Sequence, residues 1–147
     1  MTDHSLRMME LGRQGFYCSQ ILLALGLEAQ GKNNPDLIRS MAGLAGGLGF
    51  TGDTCGALSG GACLLGLYAG KGTVDEEEDS QLNLMIGELV EWFKEEYGAL
   101  YGGTTCETIL ADDARNRITR CPNLVSGVFE KVRLLLGSYG YPPEANQ

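Results

Sequence analysis

The sequence predicts an all-α fold, and three observations point that way. Leucine occurs 22 times against ten for valine and isoleucine together, a balance that favours helix over strand. Apolar residues recur at helical spacing in several stretches. No segment alternates apolar and polar residues long enough to make a strand. The expected architecture is a single-domain helical bundle of about five to six helices over residues 1–147, with a glycine-rich loop and a cysteine site at helix N-termini. A chain of 147 residues can bury one ordinary core and is short for two.

The helical pieces are expected near 4–11, 17–29, 35–45, 55–69, 79–98 and 122–137, with a short turn near 106–111. In the second piece Cys18, Ile21, Leu22 and Leu25 share a face. The third has Asn34 as N-cap and Pro35 in its first turn, with Leu37, Ile38 and Met41 inward and Gly46 near its stop. The fourth is apolar throughout, so Cys63, midway along it, is expected to be a buried small hydrophobe. In the fifth, Leu82, Met85, Ile86, Leu89 and Phe93 form the inner stripe, and the acidic run Asp75–Asp79 reads as a solvated, dipole-matched start. The sixth opens at Pro122, a residue favoured at the first helical position, and carries Leu124, Val128, Val132 and Leu135 inward. Residues 141–147 read as a loose tail, and His4 as a surface residue near the N-terminus.

The net charge of −8 argues against nucleic acid, which is normally met by a basic patch. No apolar run reaches membrane-spanning length, and the N-terminus shows no export signal, so the expected location is cytoplasmic with no membrane partner. A reducing compartment disfavours permanent disulfides and turns attention to metal binding or redox chemistry at the five cysteines.

Four of those cysteines share a setting. Cys18, Cys55, Cys106 and Cys121 each stand where a helix is expected to start. Unpaired N–H groups and the positive helix end there stabilise a thiolate, the form that attacks electrophiles and binds metals. Eleven of the 22 glycines lie between Gly43 and Gly72. The stretch Gly46–Gly56 reads as a loop whose backbone, at Gly52 and Gly56 in particular, could approach an anionic cofactor and donate hydrogen bonds to its sulfurs.

Competing motifs are weaker. Gly47-x-Gly49-x-x-Gly52 matches a dinucleotide fingerprint literally but lacks the preceding strand, and no Gly-Lys-Ser/Thr follows for a P-loop. Cysteine gaps of 36, 50 and 14 residues contain no Cys-x-x-Cys pair, unlike zinc ribbons, thioredoxin-like motifs or ferredoxins. The serines lack a credible histidine partner for a hydrolytic triad. Glu88, Glu91, Glu95 and Glu96 lack the Glu-x-x-His motifs of a di-iron site. A four-cysteine site must then be assembled by tertiary folding.

One cysteine in Cys-Ser-Gln-Ile-Leu-Leu-Ala, then Gly52-Asp53-Thr54-Cys55-Gly56-Ala57-Leu58-Ser59-Gly60, then two later single cysteines: this pattern resembles the C_GCAxxG_C_C family of redox-active proteins over essentially the whole chain. The resemblance implies Cys18, Cys55, Cys106 and Cys121 as its characteristic cysteines, and an iron–sulfur or other redox group. Cys63 is extra.

The leading expectation is one iron–sulfur cluster, [2Fe–2S] or [4Fe–4S], held by those four cysteines. It would serve electron transfer or redox sensing with a redox partner protein, as a carrier or sensor more than a stand-alone enzyme. Two alternatives stay open. One is a metal-free thiol–disulfide protein using Cys106 and Cys121, the closest pair in sequence; the other is a structural four-cysteine zinc domain with an interaction role.

Overall fold

In the computed structural model, which describes residues 3–141, the chain is helical and carries no named strand among those residues. Helix α1 is Asp3–Arg13, α2 Cys18–Ala29 and α3 Pro35–Met41, which tightens into a 3-10 turn at Ala42–Leu44. Helix α4 is Gly56–Ala69 and α5 Leu82–Phe93, which runs through a π turn at Lys94–Gly98 into α6, Ala99–Tyr101. Helix α7 is Cys106–Leu110 and α8 Asn116–Ser138. The expected loose tail lies, beyond Tyr141, outside the described residues.

Two predicted stripes close the core. Leu82, Met85, Leu89 and Phe93 of α5 are buried, as are Leu124, Val128, Val132 and Leu135 of α8. Helix α4 lies against both. A Cβ on Gly61 would stand 2.5 Å from Val128 Cγ1, so only glycine lets α4 approach α8 this closely. The same device joins α4 to α2, where a Cβ on Gly60 would stand 3.0 Å from Ser19 Cα, and one on Gly26 would collide with Leu64. Asn34 caps α3 as expected, its side chain accepting from the Leu37 N–H at 3.1 Å, with Pro35 in the first turn.

Three expectations need correction. Cys63 is exposed rather than buried. Helix α4 is apolar on every side, so hydrophobicity does not mark its inner face; close approach through Gly60 and Gly61 does, and turns Cys63 outward. Helix α8 begins at Asn116, six residues before Pro122, which lies inside it. Just ahead of this helix the Asp113 carboxylate accepts from the Arg115 N–H at 3.0 Å, and Asn116 Nδ2 donates to the Leu110 carbonyl at 2.8 Å. Pro122 removes one helical hydrogen bond, and it would have gone to Ile118, a residue 81 % exposed where water can reach. His4 is half-buried, its ring 4.9 Å from that of Phe129. The acidic run folds as its own turn ahead of α5: Glu76 accepts from the Thr73 N–H and Asp79 from the Gln81 N–H.

The segment between α3 and α4 is unusual in its backbone. Gly46, Gly47, Leu48, Gly49 and Phe50 all have φ between 63° and 76°, one turn of left-handed coil. Glycine adopts this freely, but a residue with a Cβ costs about 1–2 kcal/mol, and Leu48 and Phe50 both bear that cost. Every N–H from Leu48 to Cys55 has an acceptor, among them Gly49 to the Gly43 carbonyl and Asp53 to the Gly47 carbonyl, both at 3.0 Å. A Cβ on Gly47 would collide with the Asp53 backbone. The coil is tightly wound on itself.

Candidate four-cysteine site

The coil delivers the chain to Cys55, the N-cap residue of α4. Thr54 pairs with Thr105 in an isolated antiparallel bridge, and around it Cys55 N donates to the Thr104 carbonyl at 3.0 Å and Cys106 N to the Asp53 carbonyl at 2.7 Å. Cys55 and Cys106 are therefore joined through backbone despite the 50 residues between them. Cys106 is the first residue of α7, and the side chain of the N-cap, Thr105, accepts from the Thr108 N–H at 3.1 Å.

Cys18 reaches the same place through glycine. It is the first residue of α2, preceded by Tyr17, whose N–H donates to Gln20 Oε1 at 3.0 Å. A Cβ on Gly56 would stand 2.9 Å from Cys18 Sγ and 3.0 Å from the Leu44 carbonyl oxygen. Gly56 is thus the contact on which the Cys18 sulfur rests. Behind it, fully buried Ser19 donates its hydroxyl to the Met41 carbonyl at 2.8 Å, which ties the start of α2 to the end of α3. Cys121 differs from the other three, for it lies within α8 rather than at its start.

All five cysteines are free thiols. Cys55 is buried; Cys18, Cys106 and Cys121 are half-buried. Charge on the four sulfurs is felt across every pairing. Cys18 is raised by Cys121 and Cys106, Cys55 by Cys18 and Cys106, and Cys121 by Cys55 and Cys106. Cys63 enters none of these pairings. Among the described residues no group of three or more His, Cys, Asp or Glu is already poised to hold a metal ion.

The helix starts do not produce low-pKa thiols here. Burial dominates, raising Cys18 and Cys121 to about 11 and Cys55 to about 12 from an ordinary 9.0, with neighbouring thiolates adding to the rise. Cys106 is also raised, by burial first. Backbone donors oppose the shift: the N–H of Ser19 favours the Cys18 thiolate, and those of Ala57 and Leu58 favour that of Cys55. At Cys55 no full cap hydrogen bond forms, so those N–H groups act on the sulfur by proximity. Arg117 opposes it too, acting on Cys18, Cys106 and Cys121.

The loop donors expected from sequence are placed differently. Gly52, with φ of 83°, gives its N–H to the Gly46 carbonyl at 3.1 Å and accepts from the Glu107 N–H at 3.1 Å, so it braces α7 instead of facing a sulfur. Gly56 belongs to α4 and serves by its missing side chain. Sequence reasoning overlooked Arg117, which needed the true start of α8 to be placed four residues, one helical turn, before Cys121. It also overlooked the Thr54–Thr105 bridge, although two Thr-Cys dipeptides, Thr54-Cys55 and Thr105-Cys106, were there to suggest it.

Residues 16–135 match the family described as "Putative redox-active protein (C_GCAxxG_C_C)". The chain belongs to that family. The match includes all four cysteines and the glycines that seat them. Neither the curated proteins nor the solved structures yield a match. Among the described residues no helix is long and apolar enough to cross a membrane.

Proposed function

We propose that this chain is a small redox protein whose Cys18, Cys55, Cys106 and Cys121 hold one iron–sulfur cluster, and that it carries or senses single electrons for a partner protein. The observation that supports the reading is the backbone bridge that joins Cys55 to Cys106, with Cys18 Sγ seated against Gly56 beside Cys55; the four thiols raise one another's pKa, and Cys63 takes no part. The chemistry of the donor set suits such a group: four sulfurs, one buried and three half-buried, with N–H groups at two of them. When bound, a cluster supplies one-electron exchange at a potential set by its surroundings.

The protein's own residues do the rest. Burial around Cys55 limits water, and the Ser19, Ala57 and Leu58 N–H groups favour negative sulfur. Thiols held near 11–12 keep their protons at neutral pH unless a cation displaces them, so loading must release protons and weaken as pH falls. That chemistry disfavours a metal-free Cys106–Cys121 couple, because a thiol with a raised pKa supplies little thiolate for exchange. Zinc would use the same four sulfurs. Anaerobic purification with iron, zinc and acid-labile sulfide analysis decides among them. Brown protein with iron and sulfide in matching amounts supports the cluster; colourless protein with stoichiometric zinc, or with no metal, rejects it.

A further inference from the structure

Arg117 stands apart from the arginines on either side of it in sequence. Arg115 is paired with Asp113 at 2.9 Å, and Arg120 is held by the Ile109 carbonyl and the Tyr101 ring. Arg117 instead lies over the face of Phe50, 4.9 Å from the ring centroid. That ring also meets Tyr17 edge-on at 5.2 Å, and Tyr17 directly precedes Cys18. Phe50 is the last residue of the left-handed coil, so its ring is aimed by backbone that L-residues adopt only under strain. The same ring lies close against Gly46, where a Cβ would collide with it. Four residues on from Arg117, one helical turn along α8, is Cys121.

We propose that Arg117 is a positioning residue for the four-cysteine site: the fold's own cation, laid over Phe50 so that its charge bears on the sulfurs. The inference rests on the four-cysteine reading above and deepens it, by assigning the residue that moderates the site's negative charge. It also gives the strained coil a purpose, since the coil sets the ring on which the guanidinium lies. Arginine suits the place because its planar, always-charged group stacks on an aromatic face. Because the cation belongs to the protein, its effect is present with or without bound metal.

The test uses the full chain carrying Cys63→Ala, stripped of metal by chelator and reduced, at low ionic strength. Thiol reaction rates are measured with a dianionic aromatic disulfide, 5,5′-dithiobis(2-nitrobenzoate), and with the neutral 2,2′-dithiodipyridine. In each case a thiolate attacks the disulfide, a mixed disulfide forms and an aryl thiolate leaves. The ratio of the two rates reports the field at the sulfurs. Arg117→Gln should lower the anionic-to-neutral ratio about two- to fivefold, the scale of one charge acting on a dianion within a Debye length. Arg117→Lys should restore most of it, Arg115→Gln should leave it unchanged, and Phe50→Leu should shift it in the Arg117→Gln direction. A ratio unmoved by Arg117→Gln, or moved equally by Arg115→Gln, overturns the role of Arg117; a ratio unmoved by Phe50→Leu overturns the role of the ring. Absence of iron, sulfide and zinc from the purified protein would instead sink the metal-site reading while leaving this ratio as it is.

Discussion

The two ends of this bundle are built by different rules. At the α5–α8 end, leucine, valine and phenylalanine stripes meet along whole helices, and Leu89, Phe93, Leu124 and Val128 are at most 1 % exposed. Each contact there repeats every three or four residues. At the cysteine end the chain runs through a left-handed coil, an isolated bridge and a five-residue helix, and contacts join residues far apart in sequence. Stability gathers at the first end and strain at the second, so the core supports a conformation that the cysteine end could not hold alone.

That contrast can be broken, beginning with the largest effect. Phe93→Ala should cost about 3–5 kcal/mol in urea denaturation, as large buried aromatics do when truncated. Metal content per folded molecule should stay as in the parent, and a matching loss of metal would show that the two ends are not separable. Gly56→Ala should cost about 1–3 kcal/mol through overpacking. Its main effect should fall on the site, because the new Cβ meets Cys18 Sγ at 2.9 Å. Visible absorption should change while far-UV circular dichroism is kept; unchanged absorption would reduce Gly56 to a helix-packing residue.

The raised thiols give a pH test on metal-free protein. A group whose folded pKa exceeds its unfolded value contributes stability fully present below the unfolded pKa and lost as pH rises through the folded one. With Cys18 and Cys121 at about 11 and Cys55 at about 12, against an ordinary 9.0, that stability should be present up to about pH 9 and fall between about 9 and 12. Denaturation midpoints at pH 8 and pH 10.5 measure it. Cys121→Ala should flatten the decline, and an equal decline in both proteins would assign it to other groups. The smallest effect belongs to Cys63→Ala. This exposed side chain should change stability by no more than about 0.5 kcal/mol and leave metal content alone.

Legibility in the sequence follows the same division. The stripes of α5 and α8 were readable because burial there depends on helical period, which sequence displays directly. The cap at Asn34–Pro35 was readable for the same local reason. Cys63 was misread because α4 is apolar all round, so its inner face is chosen by what its neighbours need. Pro122 was misread because proline at a helix start and proline inside a helix look alike until the Asp113 turn is seen. The helix-start setting of Cys18, Cys55 and Cys106 was visible, but the charge state of their sulfurs was not. Burial outweighs the helix end, and burial is a tertiary quantity. The four cysteines themselves were legible by type and family pattern, while the Thr54–Thr105 bridge that joins Cys55 to Cys106 and the space at Gly56 that admits Cys18 are tertiary features that sequence does not display.

The most direct test of the central claim substitutes each cysteine by serine, one at a time, and measures iron and acid-labile sulfide per chain after anaerobic purification and reconstitution. Cys18→Ser, Cys55→Ser, Cys106→Ser and Cys121→Ser should each lower cluster content or alter the cluster's spectrum, with Cys63→Ser indistinguishable from the parent. Full, spectrally unchanged loading in any of the first four, or loss in the Cys63 variant with the helical fold intact, would contradict a single centre held by Cys18, Cys55, Cys106 and Cys121.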